Sequence, residues 1–406
     1  MIPRPRAPRR HTAVLAALTL STLVLTGCGD AEQNRSTPAP GGGAGCVENF
    51  DVNTDYFPVK STLKYARNFT VTYEKSYQVL TVKEPISGGK PESYVLVKCG
   101  APKPRLSGEL AKAPQVSVPI RSLYSASTTH LPLLTDLGRL DVLTGVADAD
   151  SVSGTESRAR IDAGKVVRYA PGRQIDAERV VTARPDVLMT GGTDEGAYAG
   201  LRAAGINVVA NAEWLETDPL GRAEWVKYMA AFTGDEAKAA TVFDRIDTDY
   251  RAVADKARAA TPVKVLPGQL HQGTWSMASG GSYVGELIRD AGGTYPWEGE
   301  SATGSVQVNF EQVYARGGDA PIWLASQDWR TRADALAADP RYAELAAVKN
   351  DRIWSNNLAI GPGGGNDYWE RGVTRPDLVL ADLVAILHPD LTPGHTFTFY
   401  RQVPKQ

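Results

Sequence analysis

Apolar residues recur at helical spacing through the middle of the chain. Phe243, Ile246, Tyr250, Val253 and Ala257 stand 3, 4, 3 and 4 positions apart, with Asp, Arg and Lys between them, which puts them on one face of a helix. Neither Gly nor Pro interrupts residues 235–260, so this helix would run roughly 35–40 Å at 1.5 Å rise per residue. Thr261-Pro262 ends it, because Pro has no N–H for the ladder and moves its predecessor out of the α region. On both sides the pattern changes to short apolar runs alternating with amphipathic segments.

Upstream, residues 116–123 read as a strand, 125–130 as a polar loop and 131–140 as a short helix ending near Gly138. Asp176 suits a helix N-cap, Arg184-Pro185-Asp186 opens a strand at 187–190, and Gly191-Gly192 follow it. A further helix-to-strand step covers 201–209. Beyond the long helix the order returns: a strand at 263–266, a polar and aromatic loop at 269–281, a helix at 283–290 and a strand at 322–325. Such alternation means parallel sheets covered by helices, with ligands bound beyond the carboxyl ends of the strands. The two halves also share a pattern. Asp176-x-Glu178-x-Val180 has Asp186 eight residues past its Glu, and Asn309-x-Glu311-x-Val313 has Asp319 eight past its own. This divergent repeat predicts an α/β fold of two Rossmann-like parallel-sheet lobes joined by a long backbone helix. Period-two alternation through Phe69, Val71 and Tyr73, then Tyr77, Val79 and Thr81, with a β run at 94–97, adds a small antiparallel N-terminal β appendage.

At 406 residues, 42% hydrophobic and 22% charged, the chain is long enough for two cores. Its formal charge of -2 supplies no broad basic field for nucleic acid. Arg4, Arg6, Arg9 and Arg10 precede an apolar run at 13–25 that is short for a membrane span, and Leu25-Thr26-Gly27-Cys28 follows. This segment resembles a signal peptide with a bacterial lipoprotein box, which implies that Cys28 carries lipid and becomes the mature N-terminus. Residues 29–45 form a Pro/Gly/Ser tether unable to bury a core. Cys46 and Cys99 remain, an even number in an exported chain, and are expected to form a disulfide. The expected domains are a signal peptide (1–27), a lipid-anchored tether (28–45), the β appendage and connector (46–114), an N-terminal lobe (115–221), an interlobe helix region (222–260) and a C-terminal lobe (261–406).

Several runs together resemble the substrate-binding lipoproteins of ABC importers for cobalamin, haem and ferric siderophores. They are Thr128-Thr129-His130, Glu178-Arg179-Val180 through Arg184-Pro185-Asp186, Trp214-Leu215-Glu216 with the run from Pro219 to Trp225, Gly364-Gly365-Asn366-Asp367-Tyr368-Trp369-Glu370, and Arg375-Pro376-Asp377-Leu378 through His388-Pro389. The resemblance implies a ligand cleft between the lobes, a small closing motion, and docking on the permease through an acidic residue of each lobe. By position in the repeat these are Glu178 and Glu311. It also implies a lipid-anchored monomer on the outer face of the bacterial cytoplasmic membrane, with an ABC permease and its ATPase as partners.

The cleft is expected to hold Thr128, Thr129, His130, Gly191 and Gly192 from the first lobe and Trp275, Tyr283, Asn366, Tyr368 and Trp369 from the second. Aromatic faces there suit a flat or conjugated ligand. Arg158, Arg160, Lys165, Arg168 and Arg173 form a cationic stretch in the first lobe able to receive carboxylates or catecholates, with Arg160 the representative contact. No close His/Asp/Glu set points to a bare metal ion, and no cofactor is expected; a chelated metal, a ferric siderophore before haem or cobalamin, is the expected ligand. The alternative is a lipid-anchored hydrolase or chelate-modifying enzyme using the same cleft. The chain lacks G-x-S-x-G, H-E-x-x-H and G-x-x-x-x-G-K signatures.

Overall fold

The computed structural model describes residues 45–193 and 196–406; the expected signal peptide (1–27), Cys28 and all but Gly45 of the expected tether lie outside them. Four sheets carry the architecture. The first contains β1 (Phe69–Tyr73), β2 (Tyr77–Val82), β3 (Glu92–Lys98) and β4 (Gln115–Val118) in sequential order, antiparallel except for β3 with β4. The first lobe holds β5 (Leu123–Ser125), β6 (Leu143–Val146), β7 (Val167–Arg168), β8 (Val187–Thr190) and β9 (Val208–Ala210), all parallel in the order β7-β6-β5-β8-β9. In the second lobe, β10 (Val263–Pro267) leads into a hairpin of β11 (Gln269–His271) and β12 (Thr274–Ala278), followed by β13 (Gly293–Thr294) and β14 (Ser305–Val308). Then come β15 (Ile322–Ala325), β16 (Ile353–Ser355) and β17 (Arg401–Gln402). The main sheet runs β13-β10-β15-β16-β17 with only β17 antiparallel, and β11-β12-β14 form a separate antiparallel sheet.

The interlobe helix spans Glu236–Arg258 and buries Ala239, Phe243, Ile246, Tyr250, Ala254 and Ala257. The predicted stripe is therefore present, with Ala254 turned inward where Val253 was expected and Val253 only half-buried. Helix Pro376–Leu387 packs along it, joining the long helix to the second lobe.

Two expectations shift. Residues 116–123 are not one strand. Pro119 cannot donate into a ladder, so β4 stops at Val118 inside the N-terminal sheet and β5 begins the first lobe's sheet at Leu123. In β2 the buried face is Gln78, Leu80 and Val82 rather than Tyr77, Val79 and Thr81. Gln78 donates to the Ala231 carbonyl of helix Trp225–Thr233, so a polar residue faces inward with a partner.

Buried carboxylates fasten the N-terminal segment to the interlobe region. Glu224, fully buried, accepts from the N–H groups of Lys64, Tyr65 and Ala66 and from Lys227 Nζ at 2.7 Å. Glu216 accepts from the N–H groups of Arg67 and Asn68 and from Trp225 Nε1. Cys46 and Cys99 are disulfide-bonded as expected.

Candidate functional site

A cleft of about 1010 Å³ opens between the two parallel-sheet lobes. Its first-lobe wall is Ser127, Thr128, Thr129, Gly191 and Thr193, beyond the carboxyl ends of β5 and β8. The sheet reverses its order of growth here, since β6 and β7 lie on one side of β5 and β8 and β9 on the other, which makes this the crevice expected of an open parallel sheet. Opposite lie Tyr283, Ser282, Tyr368, Trp369, Asn356 and Tyr400 from the second lobe, while Glu213, Trp214, Leu215 and Arg222 come from the connection between lobes.

Of the expected site residues, Thr128, Thr129, Gly191, Tyr283, Tyr368 and Trp369 come together on this cleft. Trp369 and the unanticipated Trp214 stand 46% and 42% exposed, so part of each indole is open to the cleft. Capping positions the second-lobe aromatics. Ser282 caps helix Tyr283–Asp290 by accepting from Gly285 N–H. Asn366 accepts from Tyr368 N–H and donates to the Asn356 carbonyl, so it sets the Tyr368-Trp369 turn from behind rather than lining the cleft. Tyr400 is held by Asp382, whose buried carboxylate accepts from the N–H groups of Thr398, Phe399 and Tyr400.

Besides Asn366, four expected contacts lie elsewhere. Trp275 is fully buried in β12, stacked 5.5 Å from Trp323 and donating Nε1–H to the Pro267 carbonyl. Strand alternation explains this: Trp275 and Met277 point inward while Ser276 and Ala278 face the cleft. His130 is also fully buried, its Nδ1 2.8 Å from Ser125 Oγ, and burial pushes its pKa down to about 3, so it is a neutral core imidazole. Arg160 donates to the carbonyls of Asp141 and Leu143, at the amino end of β6 and away from the cleft. Gly192 has φ +71° and sits where a Cβ would be 2.5 Å from Trp214 Nε1, so its service is to let that indole close over the backbone.

Two more of the cationic stretch satisfy local acceptors as Arg160 does. Arg158 bonds the Ala149 carbonyl and Asp162, and Arg168 pairs with Asp150. Arg173 lines a 350 Å³ recess of the first lobe with Asp148, Tyr169 and Tyr198, and this recess adjoins the cleft, sharing Ser127, Thr128 and Thr193 with it. Among the described residues no group of three or more His, Cys, Asp or Glu is placed to hold a metal ion.

Glu178 and Glu311 occupy corresponding first turns, of helices Ala177–Ala183 and Phe310–Gly317, and both are exposed. Glu311 additionally pairs with Arg341 at 3.0 Å.

The lobes also touch beside the cleft. Glu370, 2% exposed, accepts from Ser153 N–H (2.7 Å), Ser153 Oγ–H (2.8 Å) and Gly154 N–H (3.0 Å), just ahead of first-lobe helix Thr155–Asp162. The Gly-rich loop before it lies directly on the same first-lobe turn: a Cβ on Gly363 or Gly365 would meet the Asp150 or Ser151 carbonyl at 2.2 or 2.0 Å. These glycines permit close backbone contact between lobes.

Two parallel-sheet lobes, a helical spine and a large aromatic cleft at their junction define a solute-binding protein. The chain belongs to the periplasmic binding protein family, whose model matches residues 122–355. An uncharacterized lipoprotein of Methanocaldococcus jannaschii is 25% identical over 390 residues, taking in 88% of this chain and 92% of that protein. Among solved structures, a periplasmic heme binding protein from Pseudomonas aeruginosa superposes with TM-score 0.54 at 19% identity, covering 69% of this chain and 97% of its own. The periplasmic vitamin B12 binding protein of Vibrio cholerae gives TM-score 0.50 at 17% identity, covering 68% and 99%. Among the described residues no helix is long and apolar enough to cross a membrane.

Proposed function

We propose that this chain is the extracytoplasmic, lipid-anchored binding component of an ABC importer, capturing a bulky metal chelate and delivering it to a permease. The carrying observation is the interlobe cleft of about 1010 Å³ lined by Trp214, Tyr283, Tyr368, Trp369 and Tyr400. That volume lies at the upper end of small-molecule sites, and the aromatic faces suit a broad, partly conjugated ligand. A ferric siderophore is the first choice within the class, with haem and cobalamin beside it. Cys28 would supply the anchor, and Glu178 and Glu311 would meet the permease.

Thr128, Thr129 and Gly191 would form the first-lobe wall of the ligand site and Tyr283, Tyr368 and Trp369 the second. Chemistry on the ligand is not part of the proposal. Titration of tryptophan fluorescence against ferric hydroxamate, ferric catecholate, haem and cobalamin tests it, because Trp214 and Trp369 stand open to the cleft. Saturable quenching at sub-micromolar concentration by one chelate, without product, is expected; turnover of a bound chelate would favour the enzyme alternative. For docking, Glu178→Arg with Glu311→Arg should abolish uptake in cells while leaving that titration unchanged, and normal uptake would rule those residues out.

A further inference from the structure

Three carboxylates and two cations cluster in the connection between the lobes, and they are not equally satisfied. Glu216 and Glu224 are saturated by backbone N–H groups, Trp225 and Lys227, as described above. Arg222 and Glu213 differ. Both are buried, at 5% and 3% exposure, yet their contact is one long bond of 3.4 Å from Nη2 to Oε1. Charge-assisted pairs of this type ordinarily close to about 2.7–2.9 Å. A guanidinium carries five N–H donors, and here Nε has no partner. Its Cζ lies 4.2 Å from the centroid of the Tyr283 ring, and Tyr283 also interacts with the guanidinium by a side-chain hydrogen bond.

The position of this pair gives it meaning. Among the described residues lining the cleft, Arg222 is the one cation and Glu213 the one carboxylate; the rest of the wall is aromatic, aliphatic, hydroxyl, amide or glycine. A buried ion pair is expensive to desolvate, and a hydrophobic pair of equal volume generally stabilises a fold as well or better. A pair kept at the cleft, loosely bonded, beside Tyr283, Tyr368 and Tyr400, matches a recognition point better than a brace.

We infer that Arg222 is the anion-recognition point of the cleft, and that the ligand carries a carboxylate or comparably anionic oxygen. This rests on the chelate-binding proposal and narrows it: among chelates of similar bulk, the anionic ones bind. Glu213 holds the guanidinium in place while the site is empty and weakens the field an incoming anion meets.

The test compares probe pairs that differ in charge, using the purified chain and tryptophan fluorescence: haemin against its dimethyl ester, and ferric citrate against a neutral ferric trihydroxamate. The readout is the affinity ratio of acid to neutral partner in each pair. In the wild type a ratio of at least tenfold is expected for a probe pair that binds. Glu213→Gln, which frees the Arg222 charge, should raise that ratio about fivefold. The paired replacement Glu213→Gln with Arg222→Met, which removes both charges together, should bring it to about one. Should the paired variant fail to fold, Glu213→Gln alone decides. A ratio unmoved by these substitutions overturns the inference and leaves the chelate-binding proposal standing. Binding of neutral probes only does the same. Failure of all four probes overturns both.

Discussion

Replacing Glu370 by Gln should loosen the two lobes from each other. The carboxylate accepts three hydrogen bonds from Ser153 and Gly154 across the interlobe boundary, while 2% exposed. Glutamine keeps one acceptor oxygen and turns an NH2 toward the donors that faced the other. A hydrogen bond to a charged group contributes about 1.5–3 kcal/mol net, a neutral one about 0.5–1.5, and a buried donor left unmatched costs about 1–3. Burial pushes the Glu370 pKa up despite the three bonds that pull it down, so the ionised group is incompletely compensated and the loss should fall low in the range, about 2 kcal/mol. Urea unfolding of wild type and variant measures it, with amide hydrogen exchange at Ser153 and Gly154 as the local reading. Both amides should exchange faster in the variant. A stability change below about 0.5 kcal/mol with unchanged exchange at both amides would refute the assignment of Glu370 as an interlobe fastener, since surface changes of no consequence fall in that range.

Asp136 predicts a pH effect. Burial raises its pKa from 3.8 to about 6, and Oδ2 has no hydrogen-bond partner. The native state then holds more protons than the unfolded chain between these values, so stability falls as pH rises from about 4 through 6, by up to roughly 3 kcal/mol. Buried His130 acts in the opposite sense as pH falls below 6.5, so the difference between wild type and Asp136→Asn is the quantity to follow; a flat difference from pH 4 to 7.5 contradicts the assignment. Glu224→Gln should cost roughly 3–5 kcal/mol by leaving Lys227 uncompensated in a buried site, visible in urea unfolding, and should expose the 64–66 segment to limited proteolysis. Gly365→Ala forces a methyl against the Ser151 carbonyl; a lowered melting temperature is expected, and an unchanged one would show that the two loops do not bear on each other.

Periodicity and capping residues carried most of the fold. The stripe on the long helix, Asp176 and Asn309 as caps, and the glycines closing helices are local signals, and local physics decides them. Alternation also held the answer for Trp275: in Thr274-Trp275-Ser276-Met277-Ala278, the strand period assigns Trp275 to one face with Met277, and treating the segment as a loop discarded that. The surroundings of Arg160 and His130 are not legible in sequence because residue type states what a side chain can bond, not which carbonyl or hydroxyl lies nearest. Arg222 is legible only as part of the runs Trp214–Glu216 and Pro219–Trp225, which hold Glu216 and Glu224 and stop short of Glu213. Which of those glutamates would be saturated depends on residues 64–68, about 150 positions upstream, and no spacing rule reaches that far.

The disulfide has a mechanical side. Tension arriving along the chain from upstream of Cys46 need not travel through residues 47–98. It crosses the bond to Cys99, whose N–H is held by the Val118 carbonyl at the end of β4, and from there enters the junction between the N-terminal sheet and the first lobe. The β hairpin and the strap at Lys64–Asn68 are bypassed, so a pull applied at Cys46 is borne by the first lobe's base, on the far side of β5 from the cleft-lining turn at Ser127–Thr129.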